Sequence, residues 1–380
     1  MDDDAIRPFR IEIPAADLDD LRDRLDRTRW PDQLPGVAWD YGIALDDVRE
    51  LASYWATSYD WRVQEARLNG FDQFTTQIDG QTVHFLHVRS GLPGALPLIM
   101  THGWPGSIVE FMEIIGPLTD PGSHAGDPGD AFDLVVPSIP GYGFSGPTRS
   151  GGWNVSRVAR AWDELMRRLG YQRYGAQGGD WGSAISRELG VLFPAHLIGV
   201  HLNTLAPYFA GDLDELDPQD RERVERLRRF RQTASGYGAI QATRPQTVGY
   251  GLTDSPAGQL AWITEKFYEW TDGGLPHEAV DRDHLLTNAS VYWFTGTAGS
   301  SARLYYETRQ VRAWNPAARS EVPTGVAVFP REIAPAIRRL AERDNNITHW
   351  SEFDRGGHFA AMEVPDLLVG DVRDFFRPLR

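Results

Sequence analysis

Two spacings of hydrophobic residues alternate through the middle of the chain and predict its architecture. Residues 74–78 and 83–88 alternate apolar with polar side chains, and Asp79-Gly80 between them is typical of a tight hairpin turn. Buried strands are predicted by continuous apolar runs at residues 96–101, 132–139 and 197–203. Helical spacing separates these runs, most clearly over residues 155–169. Strands that alternate with helices of this length predict a mostly parallel sheet with helices on both faces.

The same rhythm divides the chain into four parts. Residues 1–72 carry helical patterns and many aromatic side chains, and we interpret them as an N-terminal meander that packs onto a larger body. Residues 73–206 and 315–380 hold the first and second parts of a core of strands and helices. Between them, residues 207–314 are mainly helical in pattern and predict a lid inserted over the sheet. In the second core part we expect strands at 322–329 and 347–353 and helices at 332–343 and 365–376.

At the centre of this rhythm, Gly178-Gly179-Asp180-Trp181-Gly182 has the spacing of a nucleophile elbow, with an aspartate in the nucleophile's place. The flanking pattern predicts a strand over 171–175 and a helix over 183–193. A carboxylate is a poor acylating nucleophile, but it opens strained or activated alkyl centres and forms an ester that water must hydrolyse. Asp180 therefore indicates an epoxide or an alkyl halide as substrate. The alternative is a surface turn in which Asp180 only caps a helix.

Composition narrows the class of protein. The 380 residues are 41% hydrophobic and carry a formal net charge of −15, which argues against nucleic acids and anionic membranes as partners. No cysteine is present, so disulfides, thiolate nucleophiles and cysteine-bound metals are excluded. The N-terminus, Met1-Asp2-Asp3-Asp4, lacks the apolar core of a secretory signal, and no apolar run approaches the length of a membrane span. We therefore expect a soluble, cytoplasmic protein without a membrane anchor.

Two further residues join Asp180 at the carboxyl ends of predicted strands. Glu332 follows one strand and His358 follows the last, and the order nucleophile, acid, histidine is that of an α/β-hydrolase fold. In such a set Asp180 attacks carbon, His358 activates water to hydrolyse the ester, and Glu332 orients the imidazole and stabilises its cation. Asp344 and Asp354 are rival acids. We rank both lower, because Asp344 follows a helix and Asp354 lies very close to His358 in sequence.

Donors for the developing charges are also indicated. Because His102-Gly103-Trp104-Pro105 directly follows a core strand, we assign one oxyanion-hole amide to Trp104 and the other to Trp181, the residue after the nucleophile. Opening an epoxide also needs an acid for the departing oxygen, and a phenol suits this role at neutral pH. The lid section offers six candidates, among which composition does not choose: Tyr237, Tyr250, Tyr268, Tyr292, Tyr305 and Tyr306.

Taken together, these motifs resemble the microsomal-type epoxide hydrolases, which are α/β-hydrolases with an N-terminal meander. The resemblance covers almost the whole chain and is specific as a joint pattern. It is carried by Phe9 to Pro14, Trp30-Pro31, His102-Gly103-Trp104-Pro105-Gly106-Ser107, Pro140-Gly141-Tyr142-Gly143-Phe144-Ser145, Gly178-Gly179-Asp180-Trp181-Gly182-Ser183, Ser235-Gly236-Tyr237, Ile240-Gln241-Ala242-Thr243, Pro323-Thr324-Gly325 and Gly356-Gly357-His358-Phe359-Ala360-Ala361.

The resemblance implies the same nucleophile, base and acid that the chain order indicates, and it adds the tyrosines. One acid tyrosine is implied at Tyr237 and the second at Tyr305 of Arg303-Leu304-Tyr305, with the adjacent Tyr306 as a rival. It further implies a reaction without cofactor or metal, and a homodimer by analogy. The apolar helix that precedes the meander in membrane-anchored relatives is not seen here, so the chain resembles the soluble bacterial members, some of which act on xenobiotic epoxides and others in natural-product biosynthesis, including enediyne antibiotics.

The sequence therefore predicts an enzyme that converts an apolar, aryl-bearing epoxide to a vicinal diol, with the epoxide and water as its only small-molecule partners. Two alternatives stay open at this point. A haloalkane dehalogenase also uses aspartate in the elbow, but it needs donors shaped for halide instead of paired phenols. A hydrolase-fold binding protein without catalysis would need no intact set of nucleophile, base and acid.

Overall fold

The structure is a computed structural model that describes residues 4–207, 213–273, 276–311 and 318–380. Within these residues the strands β1 to β9 are Arg7–Phe9, Gln73–Ile78, Gln81–Val88, Leu96–Thr101, Phe132–Pro137, Tyr174–Gly178, Leu197–Leu202, Ser320–Val328 and Asn345–Glu352. The helices α1 to α17 are Ala15–Asp26, Leu45–Thr57, Trp61–Leu68, Met112–Thr119, Val155–Arg168, Asp180–Leu192, Pro218–Thr233, Gly236–Gln241, Pro245–Asp254, Pro256–Trp270, Pro276–Ala279, Arg282–Thr295, Ala298–Ser301, Arg303–Gln310, Arg338–Asp344, Ala360–Glu363 and Pro365–Phe376. Short 3₁₀ turns lie at Ile108–Phe111, Pro121–His124, Pro128–Asp130, Gly143–Ser145, Leu213–Glu215 and Arg377–Leu379.

All the described strands form a single sheet, and most of it is parallel. The order is β1-β2-β3-β5-β4-β6-β7-β8-β9. Pairs from β1 to β5 along one edge are antiparallel, whereas β5, β4, β6, β7, β8 and β9 pair in parallel. Helices α5 and α6 pack together over β4, β6 and β7, and α4 and α17 pack together over β5, β7 and β8. The predicted mostly parallel sheet with helical layers is confirmed.

The hairpin between β2 and β3 shows how local sequence sets this edge of the sheet. Asp79 has φ 51° and Gly80 has φ 73°, so both central residues adopt the left-handed conformation of a tight two-residue turn. The register pairs Ile78 with Gln81 across the turn. The Asp79-Gly80 pattern predicted this turn correctly because both residue types tolerate positive φ.

Two predicted elements next to the strand ends are displaced in the structure. The strand before Asp180 is β6, Tyr174–Gly178, and not residues 171–175, and the following helix begins at Asp180 instead of Ser183. Pairing explains the shift, because β6 hydrogen-bonds along its length to β4 on one side and β7 on the other. Its Gly- and Ala-rich sequence has too little side-chain pattern to reveal these limits.

The helix predicted over residues 332–343 begins only at Arg338. Pro335 lies within the predicted range, and proline disfavours helical geometry at the residue before it. The preceding backbone is used differently, since the amide of Ala334 donates to the Glu332 carboxylate at 3.2 Å. Glu332 therefore lies in a loop after β8 and does not cap a helix.

The front section packs on α10 and α12 of the insertion between β7 and β8, and side chains of α12 supply hydrogen bonds to it. Trp55 Nε1 donates to Ser290 Oγ at 2.9 Å, and Tyr54 donates to Asp283 at 2.7 Å. After the first strand, the backbone bonds to a side chain instead of to a neighbouring strand. The amide of Ile11 donates to Oδ1 of Asn69, the residue that follows α3, at 2.9 Å. The motif Phe9 to Pro14 therefore shares only Phe9 with β1, and its remaining residues are not a strand.

Helices α7 to α14 lie between β7 and β8, in the range for which the lid is predicted. Of that range, residues 208–212, 274–275 and 312–314 lie outside the described residues, as do residues 1–3 of the front section and 315–317 of the second core part. The four-part division of the chain stays a prediction.

Candidate active site

Asp180 lies at the sharp turn between β6 and α6. Its φ is 49°, a left-handed value that is strained for a residue with a side chain. The neighbouring glycines are required by space: a Cβ on Gly178 would lie 2.3 Å from the backbone of Gly182, and one on Gly182 would lie 1.8 Å from the carbonyl oxygen of Thr101. The turn therefore presents the Asp180 carboxylate at the carboxyl end of the sheet, as the elbow pattern predicts.

The two oxygens of the Asp180 carboxylate have different surroundings. The backbone amide of Trp104 donates to Oδ1 at 2.8 Å. Oδ2 faces Nε2 of His358 at 3.6 Å, beyond hydrogen-bond length. Burial raises the pKa of Asp180, while the charge of His358 and the amides of Trp104 and Trp181 act against that rise. The carboxylate thus has one oxygen held by a backbone donor and one directed at the histidine.

His358 is bound on its other ring nitrogen by Glu332. Nδ1 lies 3.1 Å from both carboxylate oxygens of Glu332. That carboxylate is buried, and it accepts a 2.7 Å hydrogen bond from the hydroxyl of Thr204. Burial alone would lower the pKa of His358, but the charge and hydrogen bond of Glu332 together with the charge of Asp180 raise it to about 9. Burial alone would raise the pKa of Glu332, and the same histidine holds it lower.

The rival acids do not occupy this position. Asp354 is exposed, and Asp344 ends α15, where its backbone oxygen accepts from Arg187 at 3.0 Å. The structure brings Asp180, His358 and Glu332 into one chain of contacts.

Two of the six lid tyrosines lie against this chain of contacts. Tyr237, in α8, stacks on the Trp104 indole with ring centroids 5.0 Å apart and planes 11° apart. Tyr305, in α14, contacts the Trp181 ring edge-on at 4.8 Å and lies 6.2 Å from Tyr237. Burial, followed by the charge of Asp180, raises the pKa of Tyr237, so this phenol keeps its proton at neutral pH.

The other candidates are directed elsewhere. Tyr306 is 37% exposed and Tyr250 is 70% exposed. Tyr268 packs against Trp39 at 4.4 Å, and the hydroxyl of Tyr292 donates to the backbone oxygen of Gly106 at 2.6 Å.

Two acidic or basic residues near the site carry no motif of their own and were missed by sequence reasoning. Glu110 places Oε1 only 1.3 Å from where a Cβ on Gly106 would lie. Burial raises the pKa of Glu110 to about 8, and the charges of both His358 and Asp180 act on it. Its place four residues after Gly106 of the conspicuous His-Gly-Trp-Pro-Gly motif is the signal that could have found it. Lys266, the only lysine of the chain, lies near Tyr237, and only the fold brings them together.

Across residues 4–207, 213–273, 276–311 and 318–380, no three or more His, Cys, Asp or Glu side chains gather as metal ligands. In that same part of the chain, no helix is long and apolar enough to cross a membrane.

Comparisons with known proteins agree with this fold. Residues 6–111 match the family described as epoxide hydrolase N terminus, and residues 96–241 match the family described as alpha/beta hydrolase fold. A protein of Stigmatella aurantiaca (strain DW4/3-1) whose name proposes an epoxide hydrolase is 47% identical over 99% of this chain and 86% of its own length. Epoxide hydrolase 1 of Sus scrofa is 39% identical over 98% of this chain and 89% of its own length.

Solved structures show the same relationship. The crystal structure of juvenile hormone epoxide hydrolase from the silkworm Bombyx mori has a TM-score of 0.92, with 32% identity over 100% of this chain and 95% of its own. The Aspergillus niger epoxide hydrolase has a TM-score of 0.88, with 34% identity over 100% of this chain and 97% of its own.

The sheet order and the strained turn at Asp180 define an α/β-hydrolase. Within that class, the chain belongs to the epoxide hydrolase family, and it is an enzyme that hydrolyses epoxides.

Proposed function

We propose that this enzyme opens its epoxide through a covalent ester on Asp180 and then hydrolyses that ester to release a vicinal diol. The observation that carries the proposal is that the two carboxylate oxygens of Asp180 have different partners. The Trp104 amide binds Oδ1, whereas Oδ2 faces His358. An oxygen held by an amide is positioned as the carbonyl oxygen of an ester, and the other is free to attack carbon.

In the first step Oδ2 of Asp180 attacks an epoxide carbon, a new C–O bond forms and the ring C–O bond breaks. Tyr237 and Tyr305 donate hydrogen bonds to the departing oxygen, and one of the two phenols transfers its proton to it, which forms the first hydroxyl of the diol. The resulting phenolate regains a proton from solvent water. Their proximity to each other and to the Trp104 and Trp181 rings supports this role. The protonated state that burial imposes on Tyr237 is the state an acid requires.

In the second step His358 takes a proton from water, and the water oxygen attacks the ester carbonyl carbon. The amides of Trp104 and Trp181 stabilise the oxyanion. The intermediate then collapses with cleavage of the bond between Cγ and the oxygen that was Oδ2, protonated His358 gives its proton to that oxygen, and the diol leaves while Asp180 keeps the oxygen from water. Ester formation also prepares the base. The negative charge of Asp180 helps to hold the pKa of His358 at about 9, and esterification removes that charge. The imidazole then loses its proton more readily, while Glu332 keeps it oriented.

The substrate we propose is an apolar, aryl-bearing epoxide, met either in natural-product biosynthesis or in xenobiotic detoxification. Support comes from the aromatic rings at the site, because a connected series of ring contacts links Trp181 to Tyr305, Tyr305 to Trp104 and Tyr237, and these two to Trp270. Aromatic walls favour aromatic guests by edge and stacking contacts. A homodimer is part of the proposal on family resemblance and is measured by analytical ultracentrifugation.

The proposal is tested by single turnover of racemic styrene oxide in water enriched in oxygen-18, with enzyme in excess. We expect the first diol to carry unlabelled oxygen from Asp180, and the enzyme carboxylate to gain label. Immediate label in the diol would mean that water attacks the epoxide directly, and the ester mechanism would be wrong. Asp180→Ala is the matched control and should form no diol, because no other group can make the ester. If wild type gives no diol, the next substrates are haloalkanes and natural-product epoxides.

A further inference from the structure

Helix α10 ends beside the site and carries an ion-paired lysine into the protein interior. Lys266 is the only lysine of the chain, and its side chain is 3% exposed. Its ammonium lies 3.0 Å from Glu265 and 2.9 Å from Glu269, two carboxylates that are partly open to solvent. Buried lysine is rare because desolvation of the ammonium is costly, and here the two carboxylates offset that cost.

The third neighbour of this ammonium is the ring of Tyr237. Lys266 Nζ lies 5.0 Å from the Tyr237 ring centroid and 5.8 Å from that of Trp270. The same tyrosine ring stacks on Trp104, whose backbone amide binds Asp180. A buried cation and an oxyanion-hole tryptophan thus both lie against one phenol.

We propose that Lys266 is a positioning residue that strengthens the hydrogen bond Tyr237 donates to the departing epoxide oxygen. The inference rests on the proposed function of Tyr237 as an acid. As the phenol donates, negative charge grows on its oxygen and spreads into the ring. The charge of the neighbouring Glu269 carboxylate opposes that build-up, since it adds to burial and to the charge of Asp180 in raising the pKa of Tyr237. The ammonium of Lys266 lies over the ring and offsets this carboxylate, and it does so more strongly in a buried site than in water. Since the charge grows only during ring opening, the gain belongs to the transition state of that step.

Helix α10, which carries Lys266, also contacts the proposed base, His358. Trp270 ends the same helix, and its backbone oxygen accepts from the amide of His358 at 2.9 Å. Lys266 itself makes its charged contacts with Glu265 and Glu269 and its ring contacts with Tyr237 and Trp270. Trp270 also contacts the His358 ring edge-on at 4.8 Å. A variant that keeps an apolar stem against Trp270 but lacks the charge should therefore slow ring opening, whereas hydrolysis of the Asp180 ester, in which Tyr237 has no part, should change little.

The test is a double-mutant cycle measured by rapid quench, with rates of alkylation and of ester hydrolysis obtained separately for styrene oxide. Lys266→Met keeps an apolar stem of similar length without the charge. We expect it to slow alkylation roughly tenfold, the size of a buried cation–π contact, with ester hydrolysis within twofold of wild type. In the Tyr237→Phe background the same change should have no further effect. Lys266→Arg, which keeps the charge, should restore most of the alkylation rate.

The outcomes distinguish the inference from the function on which it rests. An equal loss from Lys266→Met in the Tyr237→Phe background would show a structural role and overturn the proposal, as would a wild-type alkylation rate in Lys266→Met. If Tyr237→Phe alone alkylates normally, the acid assignment itself is wrong. If Lys266→Met does not fold by circular dichroism, Glu269→Gln replaces it. That variant leaves the ammonium less neutralised and should speed alkylation, and an unchanged or slower rate would overturn the proposal.

Discussion

Within the described residues, two groups of histidine and carboxylate side chains differ in where they lie relative to the sheet, and the candidate active site is the one at the carboxyl ends of the strands. In the candidate active site, His358 contacts Glu332 at 3.1 Å and faces Asp180 at 3.6 Å. In the sheet interior, Asp371 of α17 accepts from His201 of β7 and from His349 of β9, both at 2.8 Å. The residue types are the same, so composition alone does not separate catalysis from structure.

In the interior group it is the carboxylate that has both oxygens bound, whereas Nδ1 of the buried His201 has no hydrogen-bond partner among the described residues. Asp371 uses one carboxylate oxygen for His201 and the other for His349 and the hydroxyl of Ser351. Although burial acts in the opposite direction, these hydrogen bonds and the charge of His201 lower its pKa to about 2. Gly325 of β8 lies between the two histidines, paired with His201 on one side and with His349 on the other. A Cβ at this position would lie 2.7 Å from the Phe375 ring, so a glycine is required there.

In the candidate active site, by contrast, the Asp180 carboxylate has an oxygen that makes no hydrogen bond to His358. Asp180 is held in a strained backbone conformation, its pKa is raised by burial, and its Oδ2 lies beyond hydrogen-bond distance of His358. The comparison teaches that the reactive carboxylate at the strand ends is strained and has one oxygen beyond hydrogen-bond distance of its histidine, whereas the Asp371 carboxylate has both oxygens bound and contributes stability.

The largest expected effect is on ester hydrolysis, and it distinguishes His358 of the candidate active site from His349 of the interior group. His358→Gln should still form the ester but hydrolyse it at least roughly 10³-fold more slowly, because no other base remains beside the ester carbonyl. Mass spectrometry after styrene oxide treatment should detect the adduct on Asp180. His349→Gln, in the interior group, is the control and should turn over normally. Normal turnover by His358→Gln would show that the base is another residue.

The next effect concerns stability and should spare activity. Asp371→Asn leaves two histidines without their shared carboxylate, and we expect the free energy of unfolding to fall by about 3 kcal/mol. Urea titration followed by circular dichroism measures the change, and single-turnover rates under native conditions should stay at wild-type values. A loss of activity without a loss of stability would contradict the structural role of this group.

A smaller effect follows from the raised pKa of His358. Because folding raises this pKa from the ordinary 6.5 to about 9, the contribution to stability is complete below pH 6.5 and is lost as pH rises through 9. The free energy of unfolding should therefore fall by on the order of 2 kcal/mol over that interval. His358→Gln should show a flatter profile in the same urea titrations, and equal slopes for the two proteins would count against the assigned shift.

The smallest effect compares neighbouring tyrosines, one inside the aromatic group and one outside it. Tyr305→Phe should slow alkylation roughly tenfold, with Tyr237 still able to donate. Tyr306→Phe should remain within about twofold of wild type, since Tyr306 is 37% exposed and points away. Rapid-quench kinetics with styrene oxide measures both variants. A larger loss from Tyr306→Phe would reverse the assignment that the resemblance implies.

Much of the framework was predictable from sequence because it depends on local chemistry. The alternation of strands and helices, the hairpin at Asp79-Gly80 and the glycines around Asp180 follow from side-chain periodicity, from tolerance of positive φ and from steric need. The placing of Asp180, Glu332 and His358 after strands also follows, because the carboxyl ends of parallel strands meet at one edge.

Other features depended on contacts between distant segments. The limits of β6 were set by pairing with β4 and β7, and the helix predicted at Glu332 gave way to a loop in which its carboxylate binds Thr204, Ala334 and His358. No pattern within the lid distinguishes Tyr305 from Tyr306, since adjacent residues on a helix face different directions and only packing decides which faces the site.

The sequence by itself thus determined the class of fold, the elbow and the order of nucleophile, acid and base, because each depends on residue type and on spacing along one segment. Only the tertiary structure decided which oxygen of Asp180 is held, which tyrosines face it, and that Lys266 and Glu110 lie nearby. The physical reason is that burial, charge and hydrogen-bond partners are properties of neighbours in space, and these neighbours lie on segments far apart in the chain.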